Sequence, residues 1–430
     1  MTMAIDTSTS HDQAATAPIL EAAAILPLHG TESLTGVARH DLATHRAVYG
    51  ELHRQSAEGL IAALEQVRLT GRGGGHFPAA LKWKAVIGAG RGGTVVVNAA
   101  EGEPGCAKDA VLVQTRPHLV IDGLLAAMDA VDAADGVIWL HDGADASARS
   151  ISRALVERAS LHERPIRVLL APARYLSGEA TGIIRTLEGG PTLPRYVRNP
   201  AQPWTDGHRP VLVNNAETIA RVGLVALRGA DAYLATSLVT VINHTYRAVL
   251  EVTSDRTIGD VLSAAWQSLD GAPPQAVLLG GYGGSWVEGA KAVHLRVDVD
   301  ALRAEGLSLG AGLIGPLPES ACGLEESARL VRYLAGQSAR QCGPCVFGLA
   351  AVADLASDLS GGRLGRKGRR NLDRFMHEIA GRGACRHPDG ALRMYTSALQ
   401  VFAHDVHTHR RGRTCDAPTY AVMPLPEQES

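Results

Sequence analysis

The sequence predicts an α/β protein in three folded parts: a mostly parallel sheet covered on both faces, a small β-grasp module, and a C-terminal helical bundle. Three observations predict it. Short apolar strands alternate with helical patterns from Ser56 to Leu187, the order expected of a parallel sheet with crossover helices. A strand pair, one helix and further strands follow within residues 236–305. After Pro318 the strand signals stop and helical stretches take over, as in a bundle of short antiparallel helices.

Each element has its own signal. Leu60, Ile61, Leu64 and Val67 recur at helical spacing within Ser56–Leu69. Thr94–Asn98 is a strand, Leu119–Val131 a helix, and Gly136–Leu140 a strand that stops at Asp142-Gly143. Ser147–Ala159 is a helix, Ile166–Leu170 a strand and Gly178–Leu187 a helix. Val239–Asn243 and Ala248–Val252 read as paired strands. Thr257–Trp266 is a helix opened by a threonine cap, and Val277–Leu279 a strand before Gly280-Gly281-Tyr282-Gly283-Gly284. The bundle helices are Glu325–Ala335, Val346–Leu359, Arg370–Ile379 and Leu392–His404, with a basic solvated turn at Gly361–Arg370. The expected divisions are a mobile or loosely docked arm over 1–50, a nucleotide domain over 51–235, the β-grasp module over 236–305, a helical domain over 306–413 and a disordered tail over 414–430.

Composition excludes several classes. The chain of 430 residues is too long for one core, and its 46% apolar content suits a folded globular protein. A net charge of −2 and few aromatics argue against nucleic-acid or anionic-membrane partners. No apolar run is long enough to span a bilayer, and Met1–Ala17 lacks the pattern of a signal peptide, so a cytoplasmic protein without membrane insertion is expected. Five of the six cysteines fall in the last third, which suits a metal or iron–sulfur centre better than a disulfide scaffold.

Two segments point to a nucleotide. The run Gly71-Arg72-Gly73-Gly74-Gly75 lets backbone amides approach a large anion, with Lys82 nearby as a point charge. The turn Asn98-Ala99-Ala100-Glu101-Gly102-Glu103-Pro104-Gly105 sets carboxylates at the exit of an apolar strand, where ligands of open α/β sheets bind. A phosphate cradle beside an acidic, hydroxyl-binding turn is what a flavin or nicotinamide nucleotide needs. A glycine run alone is equally a flexible surface turn. Tyr175-Leu176-Ser177-Gly178-Glu179 and Val213-Asn214-Asn215-Ala216-Glu217-Thr218, placed at a helix start and a strand end, favour the nucleotide.

These segments resemble the NADH- and flavin-binding 51 kDa (F-type) subunit of respiratory complex I, and its relatives in NAD-dependent hydrogenases and formate dehydrogenases. The likeness runs from about Gly59 to Phe402 and rests on five motifs in order. Gly71, Arg72, Gly73, Gly74, Phe77 and Lys82 look like the flavin-phosphate loop, and Asn98, Glu101, Glu103 and Lys108-Asp109 like the acidic loop. Tyr175, Gly178, Glu179 and Thr181 follow, then Leu187-Glu188-Gly189 and Pro194-Arg195; Asn214, Asn215, Glu217 and Thr218 complete the pocket. The resemblance implies a Rossmann-like nucleotide domain, an SLBB-like β-grasp domain, FMN and NAD(H) as cofactors, and no side-chain acid or base for hydride transfer. It also implies an electron-acceptor partner, ferredoxin-like or a complex I-like subunit.

The chain departs from the family at telling places. Ala100 stands where the family has an aspartate, Ala180 where it has a glutamate, and His76 where it has a glycine. The aromatic expected around Pro200–Gln202 is missing. Phosphate positioning is kept while nicotinamide binding is weakened. A second reading follows, a non-enzymatic electron-transfer or assembly subunit with a degenerate NADH site.

Cys342-Gly343-Pro344-Cys345 and the later Cys385 suit a cluster or a tetrahedral metal. The resemblance implies a [4Fe–4S] cluster rather than zinc, with Ala339 at the position of the family's first ligand. Cys322 is the favoured fourth ligand and His387 the alternative, because thiolates dominate cluster ligation. The run His404–His409 reads as a solvated helix end, Cys415 as free, and Cys106, Trp83 and Trp286 as packing residues.

Overall fold

The computed structural model describes residues 38–159, 164–197, 204–206, 209–243, 247–265, 274–415 and 421–426. The first part holds strands β1 (Thr94–Asn98), β2 (Asp135–His141), β3 (Ile166–Ala171), β4 (Trp204–Asp206) and β5 (Arg209–Asn215). Their order in the sheet is β3-β2-β1-β5-β4; the first four are parallel, and β4 runs antiparallel to β5 at the edge. Helices α1 (Leu42–Tyr49), α2 (Ala57–Gln66), α3 (Ala79–Ala89), α4 (Lys108–Thr115), α5 (Pro117–Ala130), α6 (Asp145–Glu157), α7 (Ala180–Leu187) and α8 (Ala216–Arg228) surround it.

The central strand shows why the sheet forms. Val95 and Val97 enter one core with α5 and α8, while Val96 enters another with Trp139, Ile183 and Ile184. Side chains alternate across a strand, so a strand covered on both faces must be apolar throughout. Helices α5 and α8 cross in backbone contact at Gly123, where a Cβ would collide with the Ile219 carbonyl. Such close crossing requires a residue without a side chain.

The chain runs from β1 outward to β2 and β3, then returns to β5 on the other side of β1. The crossovers therefore part between β1 and β5. The carboxyl ends of β1 and β5 at this switch point are where open α/β sheets take ligands, in the crevice between the parting crossovers.

Within the stretch expected to be a mobile or loosely docked arm, a helix is docked: α1, capped by Asp41, buries His45 and Tyr49, and His45 Nε2 lies 2.6 Å from the Asp122 carboxylate of α5.

The second sheet contains β6 (Thr236–Ile242), β7 (Arg247–Thr253), β8 (Ala276–Leu279), β9 (Ser285–Glu288) and β10 (Leu313–Leu317), in the order β7-β6-β10-β8-β9. It is mixed: β10 is parallel to β6 and antiparallel to β8. Helix α9 (Ile258–Ala265) packs Ile258, Val261 and Leu262 on one face with Val239, Val241 and Ile314. Thr257 Oγ1 accepts from Asp260 N–H, and the Asp260 carboxylate accepts from Thr257 N–H, so the expected cap is a reciprocal one. Short helices α10 (Gly289–Ala292) and α11 (Val299–Ala304) follow. The sheet's middle strand, β10, lies beyond the boundary expected at 305, because its few residues carry no helix-to-strand signal of their own.

The last part holds α12 (Gly323–Gly336), α13 (Leu349–Ser360), α14 (Arg366–Ile379), α15 (His387–Val401) and α16 (Ala403–His409). It shares one core with the other face of the second sheet, through Leu278, Trp286 and Leu313 against Leu330, Leu334 and Tyr395. Two expectations fail here. The basic segment Arg366–Arg370 is the first turn of α14 and not a loop; its charges are solvated while Leu372 and Ile379 are buried. The tail is docked in part: Val422 and Met423 are buried, and their N–H groups donate to the Glu326 carboxylate at 3.4 and 2.7 Å. Among the described residues no helix is long and apolar enough to cross a membrane.

Candidate functional site

Adjacent register brings the asparagines together. Val97 pairs with Asn214 and Asn98 with Asn215, so all three asparagines sit where β1 and β5 end. Asn98 Nδ2 donates to the Gly178 carbonyl at 2.7 Å, and its Oδ1 accepts from Ala100 N–H at 3.2 Å. Asn215 caps α8 through Glu217 N–H and donates to Asp109 Oδ2 at 2.6 Å. Asn214 is buried, with its amide between Trp83 Nε1 and the Val213 carbonyl.

The glycine run packs directly on this corner. A Cβ on Gly73 would lie 3.3 Å from Asn215 Cβ, so a larger side chain there would fill the crevice. Arg72 N–H donates to Thr218 Oγ1 at 2.8 Å, tying the run to the first turn of α8. Gly73 N–H has no acceptor among the described residues. Lys82 Nζ reaches the Val213 carbonyl, and no carboxylate pairs with it among the described residues. Burial lowers its ammonium to about 8. A half-buried cation on the Val213 carbonyl of β5, the strand whose Asn215 packs against Gly73, fits the phosphate of a flavin nucleotide.

Several of the expected ligands bond to the protein itself. The Arg72 guanidinium turns away from the crevice to Ser237 Oγ at 2.9 Å and the Thr236 carbonyl at 3.2 Å. Glu101 accepts from the Asp109 and Ala110 N–H groups at the start of α4; burial and the Asp109 charge raise its pKa. Glu103 accepts from Tyr282 N–H and the Tyr175 hydroxyl, both at 3.0 Å, and burial pushes it up to about 7. Glu179 caps α7 through Gly182 N–H and the Thr181 hydroxyl. Phe77 is exposed at its side chain, while its carbonyl accepts from Gly71 N–H at 2.9 Å and closes the loop. The acidic turn is thus tied to α4, to the Tyr175–Gly178 turn and to Tyr282.

Beneath the crevice lies a buried charge network. Lys108 Nζ contacts Asp109 at 2.9 Å and Glu217 at 3.1 Å, and Glu217 also receives Arg221 at 2.8 Å. Burial alone would raise Glu217, but Lys108, Arg221 and Arg72 hold it down to about 2. Arg221 was not singled out from the sequence, although its spacing four residues after Glu217 is a helical pairing signal. Trp139 was also missed; its Nε1 donates to the Ser177 carbonyl at 2.9 Å and fixes the turn Tyr175–Gly178 over the strand ends.

His76 is the anomaly of the loop. It is buried at φ 45°, and neither ring nitrogen has a hydrogen-bond partner among the described residues. Burial, reinforced by Arg72, lowers its pKa to about 4, so the imidazole is neutral at pH 7. The region around Pro200–Gln202, where an adenine-stacking aromatic was expected, lies outside the described residues.

The cysteines divide into two groups. Cys342, Cys345 and Cys385 neighbour one another; burial, then Cys342, pushes the Cys345 thiol up to about 12. Their loop docks on the nucleotide part: Gln341 Nε2 donates to the Pro194 carbonyl at 2.7 Å and Gln337 Oε1 accepts from Tyr175 N–H at 3.3 Å. Three grouped thiols on one loop and one helix start fit an iron–sulfur cluster. Cys322 is not among them. It caps the other end of α12, whose 14 residues make a strut about 21 Å long. The expectation that its loop folds over Cys342–Cys345 is therefore corrected: the intervening residues form a rigid helix. His387 Nε2 is engaged by the Leu334 carbonyl at 2.8 Å, and the ring packs on Tyr175. Cys322 instead meets His409 and Cys415; His404 and His407 are exposed as expected, His409 is buried, and Cys415, in no disulfide, lies against His409.

Residues 64–224 match the family described as the Nuo51 FMN-binding domain, and residues 325–409 the NADH-ubiquinone oxidoreductase-F iron-sulfur binding region. The chain belongs to the family of the 51 kDa, F-type subunit of complex I. The family's FMN-binding match ends just past Thr218, and its iron–sulfur match includes Cys342, Cys345 and Cys385 but not Cys322. An F-type subunit of the NADH-quinone oxidoreductase of Rhizobium meliloti (strain 1021) is 25% identical over 86% of this chain and 93% of that protein. The F-type subunit of the Streptomyces coelicolor NADH-quinone oxidoreductase is 27% identical over 83% of this chain and 84% of that protein. A solved NAD+-reducing [NiFe]-hydrogenase, in the H2-reduced state, shares the fold with a TM-score of 0.73 at 22% identity. The match covers 82% of this chain and spans 62% of the hydrogenase chain.

Proposed function

We propose that this chain oxidises NADH with FMN bound between β1 and β5, and delivers the electrons to a [4Fe–4S] cluster held by Cys342, Cys345 and Cys385. The single observation that carries this reading is Lys82, which has no carboxylate partner among the described residues, at the end of the same strand β5 whose Asn215 packs against Gly73. FMN, when bound, accepts a hydride and releases electrons singly. The residues present supply the rest. Lys82 and Gly73 hold the phosphate end, the asparagines and α8 set the floor, and the Gln337–Gln341 loop keeps the cysteines against the nucleotide part. The fourth iron position takes neither Cys322 nor a free His387 Nε2, which favours a cluster with one iron open to water or a partner residue.

The relatives are named as subunits, so an electron-carrying protein partner, ferredoxin-like or complex I-like, fits this reading, as does a cytoplasmic setting. We read the second sheet, with its order β7-β6-β10-β8-β9 and one packed helix, as the SLBB-like β-grasp domain, extended to about residue 317. The test is an anaerobic NADH titration of reconstituted protein with flavin and iron counts. Bleaching of one flavin per chain supports the reading; a flavin that NADH does not bleach overturns it.

A second reading rests on His76, Ala100 and Ala180. A buried imidazole fills space beside the glycine floor, and two family carboxylates are absent. This favours a protein that keeps the fold and the cluster while its NADH site has degenerated. Brown protein without flavin absorbance is its signature.

A further inference from the structure

We propose that Cys322, His409 and Cys415 form a second metal site, a Cys2His zinc site separate from the cluster cysteines. The ligand atoms of all three residues lie within 4.8 Å of one another. Cys322 Sγ is 3.9 Å from His409 Nε2, and Cys415 Sγ is 3.4 Å from the same nitrogen. Zinc–sulfur and zinc–nitrogen bonds of about 2.3 and 2.0–2.1 Å, at tetrahedral angles, put ligand atoms about 3.5–3.8 Å apart. The observed spacings bracket that edge.

The histidine is oriented for the role. His409 is 2% exposed, and its Nδ1 lies 2.6 Å from the Ser360 carbonyl. A proton on Nδ1 satisfies that carbonyl and leaves the Nε2 lone pair facing the two sulfurs, the arrangement typical of metal-bound histidines. Cys415 N–H now donates to this lone pair at 3.1 Å, and a metal would take its place. Cys322 is buried at the N-cap of α12, where Glu325 N–H donates to its sulfur at 3.4 Å and supports a thiolate. Water takes the fourth position.

The chemistry balances. Zinc binding releases one proton from each thiol, and two thiolates neutralise the divalent ion, which leaves no net charge in a largely buried site. Imidazole with thiolate in a tetrahedral set selects zinc among the common divalent ions. The site would join the start of α12, the end of α16 and the segment leading to the docked Val422–Met423. Nothing in it depends on flavin or on the cluster.

The test uses the full chain, purified anaerobically with its iron, and metal counts by mass spectrometry. About one zinc per chain is expected beside the cluster iron, with two sulfurs and nitrogen or oxygen in the zinc-edge absorption spectrum. C415S and H409Q should lose the zinc and keep the iron. In the wild-type protein, zinc should protect Cys322 and Cys415 from alkylation, and a chelator should remove that protection, which tests the site even where a variant folds poorly. Loss of iron in C415S would overturn the assignment and make the residue a cluster ligand. Wild-type protein that binds no added zinc, or that carries a Cys322–Cys415 disulfide instead, would overturn it as well.

Discussion

Lys108 Nζ sits 3.1 Å from Glu217 Oε2, with both side chains almost wholly buried beneath the nucleotide crevice. The pair joins α4 to α8, the two helices that leave β1 and β5, and so sets the width of the crevice. Removing one partner of a buried pair leaves the other charge uncompensated.

Lys108→Met should therefore cost about 3–5 kcal/mol in a urea unfolding experiment. Glu217 also carries a pH signature. Its folded value of about 2 lies below the ordinary 4.5, so its stabilisation is present above about 4.5 and is lost as pH falls toward 2. In Lys108→Met the folded value of Glu217 should rise toward 4.5, so less stability should be lost across that range. An unchanged acid limb would show that Arg221 and Arg72 hold Glu217 ionised without Lys108.

Lys82 has no carboxylate partner among the described residues, and in the proposed reading its charge opposes stability and serves binding. Lys82→Met should raise the melting temperature of flavin-free protein and weaken FMN. A charge-assisted contact is worth about 1.5–3 kcal/mol, or roughly a 10- to 150-fold loss of affinity. Calorimetry on the apo chain and fluorescence titration with FMN read the two effects separately. Parallel losses in both would mean that Lys82 is structural.

Gly73 has an ordinary backbone conformation, so a side chain there meets a steric barrier only at Asn215. Gly73→Val should leave the circular dichroism spectrum intact and abolish flavin retention after gel filtration. A full flavin complement would place the phosphate elsewhere.

His76→Gly relieves a left-handed residue and two unpartnered nitrogens at once, and should not lower stability. With Ala180→Glu it restores what the family carries. The double variant should show a lower KM for NADH than the parent. No detectable NADH rate in either single variant or the double would favour the degenerate, non-enzymatic reading.

The sequence by itself determined the order and type of the elements. Apolar strands buried on both faces and helices with one apolar stripe carry their period in the chain, as Val95–Val97 and Leu60–Leu64 show. It also singled out the glycine run, the asparagines at the strand ends and the three cysteines of one group, because glycine, capping residues and thiols are chosen for local chemistry. Tertiary structure alone decided the partners. Glu101, Glu103 and Arg72 are polar residues beside a ligand loop, yet each bonds to protein brought in from 8 to 179 residues away. Cys322 stands 20 residues from Cys342, close in sequence, but a straight helix holds them apart and delivers Cys322 to His409 and Cys415. Periodicity records which face of an element is buried; it holds no record of which distant element buries it, because that depends on how rigid helices and sheets pack as whole bodies.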